Sequence, residues 1–486
     1  MNRLKNIILV VNKLHLYLGI VALAILISIL TSNWYILLIP MVILLGGISI
    51  TQPKWIFYLL LLSLPISTEI SFSNGLGTDL PSEPLMIGLC IIAIPLFITQ
   101  PKILNKAFWT HPITLILGAH LGWTLIATLY SANPLVSFKF LLAKTWYIVV
   151  FYFLTPVFLK SRQDFLKAIP WVIWPLALTV VITLIRHYQF SFSFSEVHKV
   201  FHPYQRNHVN YGAMLALCLP FVLLMWQQLK GNSKKIGFVL GILFLIGIYF
   251  SYTRAAYIAV LLIPFLYFVL IKNILKPLLL IGGLGTILAF SFLTSENKYL
   301  DFAPNYETTI SHYNFENLLE ATYKGQDIST MERFYRWIAG IKMGWERVIT
   351  GFGPGNFVNF YKTYTVSSFS TYVSDNKEGS GIHSYFLMLL AEQGIPGLLI
   401  FLTLLLITLF YGQNLVNQLK GQPERNLILA LVSSLLIIIA FLTINDLVET
   451  DKVGPFFFIS LSLIASFSAK ETSRTISSSL HPHNLK

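Results

Sequence analysis

Charge is what this sequence has least of. Only 11% of its 486 residues are Asp, Glu, Lys or Arg, where a soluble globular chain carries about 25%. So few charges cannot cover a water-facing surface, which argues against a soluble domain and for lipid as the solvent. Acidic residues are scarcer still, 21 against 34 Lys and Arg, for a net charge of +13. That excess does not indicate nucleic acid, because most of it falls in short loops between apolar runs. Cysteine is nearly absent: Cys90 and Cys218 lie far apart inside apolar runs, as small core residues rather than a disulfide or a metal pair. Also lacking are a Walker-type phosphate loop, a dinucleotide fingerprint, a Cys/His metal spacing and an internal repeat. No cofactor and no metal are expected.

What is present is apolar. Hydrophobic residues make up 55% and aromatics 14% of the chain, and the mean hydropathy is +0.69. A spanning helix needs roughly 20 apolar residues, and about fourteen stretches approach that length, the first three short and crowded. The expected fold is all-α: a polytopic transmembrane helical bundle of about 12–14 spans with one long periplasmic loop containing an amphipathic helix. The chain divides into N-terminal transmembrane helices over 1–200, helices carrying two arginine segments over 201–294, the large loop over 295–382, C-terminal helices over 383–470 and a cytoplasmic tail over 471–486. The basic N-terminus, MNRLKNIILVVNKLH, lacks a small-residue cleavage site and leads into a full span, so it is read as retained.

Loop charges orient the bundle. With the N-terminus inside, one side collects Lys54, Lys102, Lys106, Lys160, Arg162, Lys167, Lys230, Lys234, Lys235, Lys272, Lys276, Lys420, Arg425, Lys470 and Arg474. The other holds Glu69, Asp79, Glu83, Asp446, Glu449 and Asp451, a positive-inside distribution. Arg186, Lys199, Arg206 and Arg254 break the rule on the outer side, either as solvated loop residues or as a recruited anion site.

The long outer insertion begins polar and irregular through Asn297–Gln326. A helical period follows in STMERFYRWIAGIKMGWERVI, where Phe334, Trp337, Ile338, Ile341 and Trp345 form the expected apolar face. Ser329 and Glu332 have the spacing of a capping box. Arg333 and Arg336 are expected on the solvated face, within reach of a sugar or phosphate. A turn, GFGPGNF from Gly351 to Phe357, precedes a Ser/Thr/Tyr-rich loop that returns to His383.

Arg206 stands before one outer helix start and Arg254, flanked by Thr253, Ala255 and Ala256, at another. Each is either an interfacial anchor or a guanidinium that grips a phosphate with two parallel bonds. His208 is a weaker candidate at a helix end. His383 and Ser384, nine residues, then Gly394-x-x-Gly397 places an ionisable group at a membrane boundary. Glu392 is expected to pair with an arginine or to cap a helix, and the glycine–proline turn to separate a short helix from the following span. Together, two guanidinium groups and an imidazole at one face suit a reaction with a diphosphate leaving group. The arginines would stabilise the departing charge and His383 would take a proton from an attacking hydroxyl.

The histidine motif resembles that of the O-antigen ligase family, which includes O-antigen and exopolysaccharide polymerases. SYTRAAY is similar to the family's arginine-bearing helix start, RNHVNYGAML to its earlier arginine segment, and ERFYRWIAGIKMGWERVITGFGPGNF to its loop helix and glycine turn. The matching segments run in the family's order from Arg206 to Leu402. The resemblance implies a glycosyltransferase of the bacterial inner membrane with its active site facing the periplasm. It implies an undecaprenyl-diphosphate-linked glycan donor, a lipid A-core or lipid-linked glycan acceptor, and an inverting, metal-independent transfer. Arg206 and Arg254 would bind the diphosphate and His383 would activate the acceptor hydroxyl, with His208, Glu392, Arg333 and Arg336 as further substrate contacts. A bulkier insertion and more spans than the ligases leave ligation and polymerisation both open, the motif composition leaning toward polymerisation.

Membrane lipid is an expected partner and nucleic acid is not. A secondary transporter of a small anion is the rival class, and a non-catalytic scaffold in glycan export a further one. A transporter favours repeated halves and midplane polar residues, whereas here the ionisable groups gather at one edge.

Overall fold

The computed structural model describes residues 2–32, 36, 38–71, 77–303, 328–371, 374–376 and 379–480. Of the expected outer insertion, residues 304–327, 372–373 and 377–378 lie outside the described set, as does the end of the tail, 481–486. The apolar stretches anticipated from the sequence are helices, and the chain is an all-α, polytopic integral membrane protein. In order they are α1 (Asn2–Thr31), α2 (Leu38–Thr51), α3 (Pro53–Ser63), α4 (Ser82–Thr99), α5 (Pro112–Leu129), α6 (Pro134–Phe158), α7 (Arg162–Tyr188), α8 (His208–Gln228), α9 (Ser233–Tyr249), α10 (Arg254–Lys272), α11 (Leu275–Thr294), α12 (Ile328–Glu346), α13 (Tyr385–Gln418), α14 (Glu424–Leu442) and α15 (Gly454–Leu480). Between α3 and α4, β1 (Thr68–Ser71) and β2 (Gly77–Leu80) form a small antiparallel hairpin with Glu69 opposite Asp79.

Proline sets several starts. Pro53, Pro112 and Pro134 occupy first helical positions, where a missing N–H forfeits nothing. Gln52, just before Pro53, leaves helical geometry (φ −144°) and parts α2 from α3. Among the described residues nine helices are long and apolar enough to cross a membrane: α4 to α8, α10, α11, α13 and α14. The remainder of the expected count falls on shorter or partly polar helices; α3, with 11 residues, falls short of the roughly 17 that a crossing needs.

The core is built around α8, where every residue from Asn210 to Val222 is buried. It packs against α9, α10 and α14. By contrast α11 turns Leu280, Ile281, Ile287 and Leu288 outward, a continuous apolar face suited to lipid tails rather than water.

Loops that the charge rule assigns to one side meet one another. At one end Lys54 pairs with Asp164 at 2.7 Å, Arg162 donates to Gln228, Asn426 to Gln227 and Lys470 to the carbonyl of Lys160. At the other, Arg206 pairs with Glu69, the Ser67 hydroxyl donates to Asp451, and Tyr385 N–H donates to the carbonyl of Asn445. The second end carries His383.

Candidate functional site

Helix α12 lies against the first turns of α13, and its contact face differs from the expected one. The buried residues are Ile328, Met331, Glu332, Tyr335, Arg336, Ala339, Gly340, Met343 and Gly344; Phe334, Trp337 and Ile338 are half-buried beside them against the core, and Trp345 is exposed. Small residues decide this. A Cβ on Gly340 would sit 2.1 Å from Ile382, and one on Gly344 2.5 Å from Leu390, so this face approaches closer than a Phe/Trp face could. The capping box is not formed either. Ile328 is already helical, and the Ser329 hydroxyl accepts from Arg333 at 2.6 Å. Glu332 instead accepts from the hydroxyls of Thr371 and Ser374, both at 2.5 Å.

That packing buries Arg336 rather than solvating it. Its Nη1 lies 2.7 Å from Nε2 of His383 and 3.2 Å from the carbonyl of Gly381. Its Nη2 reaches Glu332 at 3.3 Å and the Asn376 side-chain oxygen at 3.4 Å. A guanidinium has donors only, so Nε2 accepts and the neutral imidazole carries its proton on Nδ1. Burial first, then the charges of Arg333 and Arg336, push the His383 pKa down to about 3. The His383 backbone is left-handed, φ +57°, a conformation that costs a non-glycine residue about 1–3 kcal/mol and that gathers at functional sites. Trp337 secures it by donating from Nε1 to the His383 carbonyl at 3.2 Å.

Glu392, expected to pair with an arginine or cap a helix, binds backbone instead. Its two carboxylate oxygens accept from Gly355 N–H at 2.8 Å and Phe357 N–H at 2.9 Å. Its carbonyl accepts from Gly353 and that of Ala391 from Phe352, each at 2.9 Å. The glycine turn is thereby strapped to α13, and it hands on to the α5–α6 loop through Ala132 N–H to the Phe352 carbonyl at 3.0 Å. The expected break follows at once: Gly394 leaves the helix with φ +69° and ψ −173°. The backbone groups it frees are met by Val348, which accepts from Ile395 at 2.8 Å, and by Trp123, which donates to Gln393.

The arginine segments sit together at the same end. His208 opens α8 and Arg254 opens α10, and the Thr253 hydroxyl donates to the His208 carbonyl at 2.9 Å. Arg206 is exposed and paired with Glu69 at 2.7 Å. Asp446 lies against Gly381, two residues before His383. A Cβ on Gly381 would meet its carboxylate; burial holds this carboxyl above its usual range, and the charges of both Arg336 and Arg206 act against that. The structure thus brings His383, Arg333 and Arg336 together, while Arg206 is held by Glu69. Arg254 stands beside His208, at the start of the neighbouring helix. The two other cations against the charge rule serve their own loop: Lys199 pairs with Glu196, and Arg186 donates to the carbonyl of His202.

Among the buried cations, Lys144 and Lys452 escaped the sequence reading. Lys144, 3% exposed within α6, bonds Glu449 at 2.8 Å and the Tyr385 hydroxyl at 3.0 Å, and Tyr385 donates to Glu449 at 2.6 Å. An ammonium inside an apolar span was the available signal. The triangle ties α6 and the α14–α15 loop to the turn of α13 that follows His383.

The family described as O-Antigen ligase matches residues 239–402. The matched stretch begins in α9 and ends in α13; it takes in Arg254, Arg333, Arg336, His383 and Glu392 and leaves Arg206 and His208 outside. No curated protein matches the chain.

Proposed function

We propose, from the match of residues 239–402 to the O-antigen ligase family, that this membrane glycan ligase or polymerase transfers a glycan from undecaprenyl diphosphate to an acceptor sugar hydroxyl. The acceptor is lipid A-core or another lipid-linked glycan, and the site faces the periplasm of the bacterial inner membrane. The acceptor oxygen attacks the anomeric carbon, the bond from that carbon to the diphosphate oxygen breaks, and its electron pair departs with the lipid diphosphate. Attack from the face opposite the leaving group inverts the anomeric centre.

Side chains carry each part of this reaction, and none of it is assigned to a metal. Arg206 and Arg254 hold the diphosphate, where planar guanidinium groups offset the charge that builds as the bond breaks. His383 takes the hydroxyl proton on an imidazole nitrogen. Arg333 and Arg336 add positive charge on the other flank of that imidazole. Glu392 and Lys144 act on the frame: one fixes the glycine turn, the other the first turn of α13.

The family match running through the arginine helix start and the histidine motif carries this reading. Purified protein in vesicles, supplied with an undecaprenyl-diphosphate-linked glycan and either acceptor, is expected to yield glycosylated acceptor and free lipid diphosphate. Consumption of lipid A-core marks a ligase, and lengthening of the lipid-linked glycan marks a polymerase. Absence of product with both acceptors overturns the proposal.

A further inference from the structure

The bond between Arg336 and His383 has a chemical consequence. With Nδ1 protonated and the Nε2 lone pair held by a guanidinium at 2.7 Å, neither ring nitrogen is open to a substrate proton. His383 becomes a base only if Arg336 moves. Arg336 is unevenly held: its short bond goes to a neutral ring, while its carboxylate partner Glu332 lies at 3.3 Å and already accepts two hydroxyls at 2.5 Å. A dianionic group arriving at this site would offer the guanidinium a stronger, two-pronged partner than any it has here.

We propose that Arg336 is a specificity-determining residue that withholds His383 as a base until the phosphate groups of a donor draw its guanidinium away. This rests on the assignment of His383 as the proton acceptor. The two events are linked. Transfer of Arg336 to phosphate exposes Nε2, removes a positive neighbour and brings in negative charge, each of which favours the imidazolium. The acceptor proton then moves to Nε2 as the anomeric bond to diphosphate breaks, and water takes that proton after the product leaves. A donor without phosphate cannot trigger the sequence, so unproductive proton abstraction is suppressed while the site is empty.

The other charge that bears on this ring is Arg333 on α12; Glu332 pairs with Arg336, and Asp446 lies against Gly381 in the segment before it. Tyr361, packed beside Arg336, feels the same guanidinium. Burial weighs most on the ring, and the part assigned to Arg336 is the bond that occupies Nε2.

Nitrogen-15 histidine spectra of the full chain in lipid nanodiscs test this, with the His383 signal identified by its loss in His383→Gln. Without ligand the ring is expected to stay neutral, with Nε2 accepting a hydrogen bond, down to about pH 4, well below the usual histidine value of about 6.5. Farnesyl diphosphate, a short prenyl diphosphate, should raise the His383 pKa by at least about one unit, and farnesol should not. Arg336→Gln should titrate closer to the ordinary value and respond less to the diphosphate than wild type. Arg336→Lys, which retains the charge beside Glu332, should fall between. A ring that does not respond to diphosphate shown to be bound, or an Arg336→Gln ring that titrates together with wild type, overturns the proposal. Neither result bears on whether the protein transfers glycan, which the vesicle assay reports separately.

Discussion

Lys144 and Glu449 meet 2.8 Å apart at the end of the bundle that presents His383. The ammonium is almost wholly enclosed, so its removal strands the carboxylate and the Tyr385 hydroxyl together. Breaking such a buried pair from one side costs on the order of 3–5 kcal/mol. Lys144→Met is expected to lower the thermal unfolding temperature in detergent markedly, and Lys144→Met/Glu449→Gln to recover much of the loss. Equal stability of wild type and the single variant would show that the pair holds nothing in place.

Gly394 combines a backbone that side chains avoid with a neighbour that cannot yield. A Cβ there would lie 2.2 Å from the Ile349 carbonyl oxygen, itself backbone. Gly394→Ala should therefore cost at least about 1–3 kcal/mol and break the Ile395–Val348 bond. Limited proteolysis checks this through faster cleavage near the glycine turn; an unchanged cleavage pattern would contradict it.

Arg206 and Glu69 are an exposed pair, with side-chain exposures of 65% and 41%. Pairs of this kind contribute about 0–1 kcal/mol, so Glu69 competes only weakly with a diphosphate for the guanidinium. Glu69→Gln is expected to lower the donor KM by no more than about fivefold with kcat unchanged. A rise in KM would show that Glu69 orients Arg206 rather than occupying it.

His383 also predicts a pH dependence of stability. Its folded pKa of about 3 lies below the unfolded value of about 6.5. Between those limits the unfolded chain binds a proton that the folded site refuses, so stability falls as pH drops from about 6.5 toward 3. Asp446, held above its usual range by burial, acts in the opposite sense, which makes the difference between wild type and His383→Gln the informative quantity. That variant should lose part of the decline in unfolding temperature on acidification; parallel curves would contradict the buried neutral ring.

Much of this architecture was legible in the chain because membrane spans obey a single strong rule of length and apolarity. The two-sided loop contacts agree with the side assigned by Lys and Arg placement. The face of α12 was misread because Phe and Trp weigh heavily in a hydrophobic pattern, whereas Ala339, Gly340 and Gly344 permit the closer contact. Glu392 was expected to seek an arginine, yet a turn rich in glycine offers backbone N–H groups that a carboxylate satisfies without one. Lys144 went unnoticed because its partners lie 241 and 305 residues away, a separation that no local pattern encodes. The link from Arg336 to His383 spans 47 residues and depends on the packing of α12, which the misread face concealed.

The central assignment, His383 as the group that accepts the acceptor's proton, is tested most directly by the initial rate of glycan transfer by His383→Ala in vesicles. Its membrane insertion and unfolding temperature are to be matched to wild type. A general base contributes about 10²–10⁴-fold, and the account predicts a loss in that range at saturating donor. Transfer at the wild-type rate would contradict it.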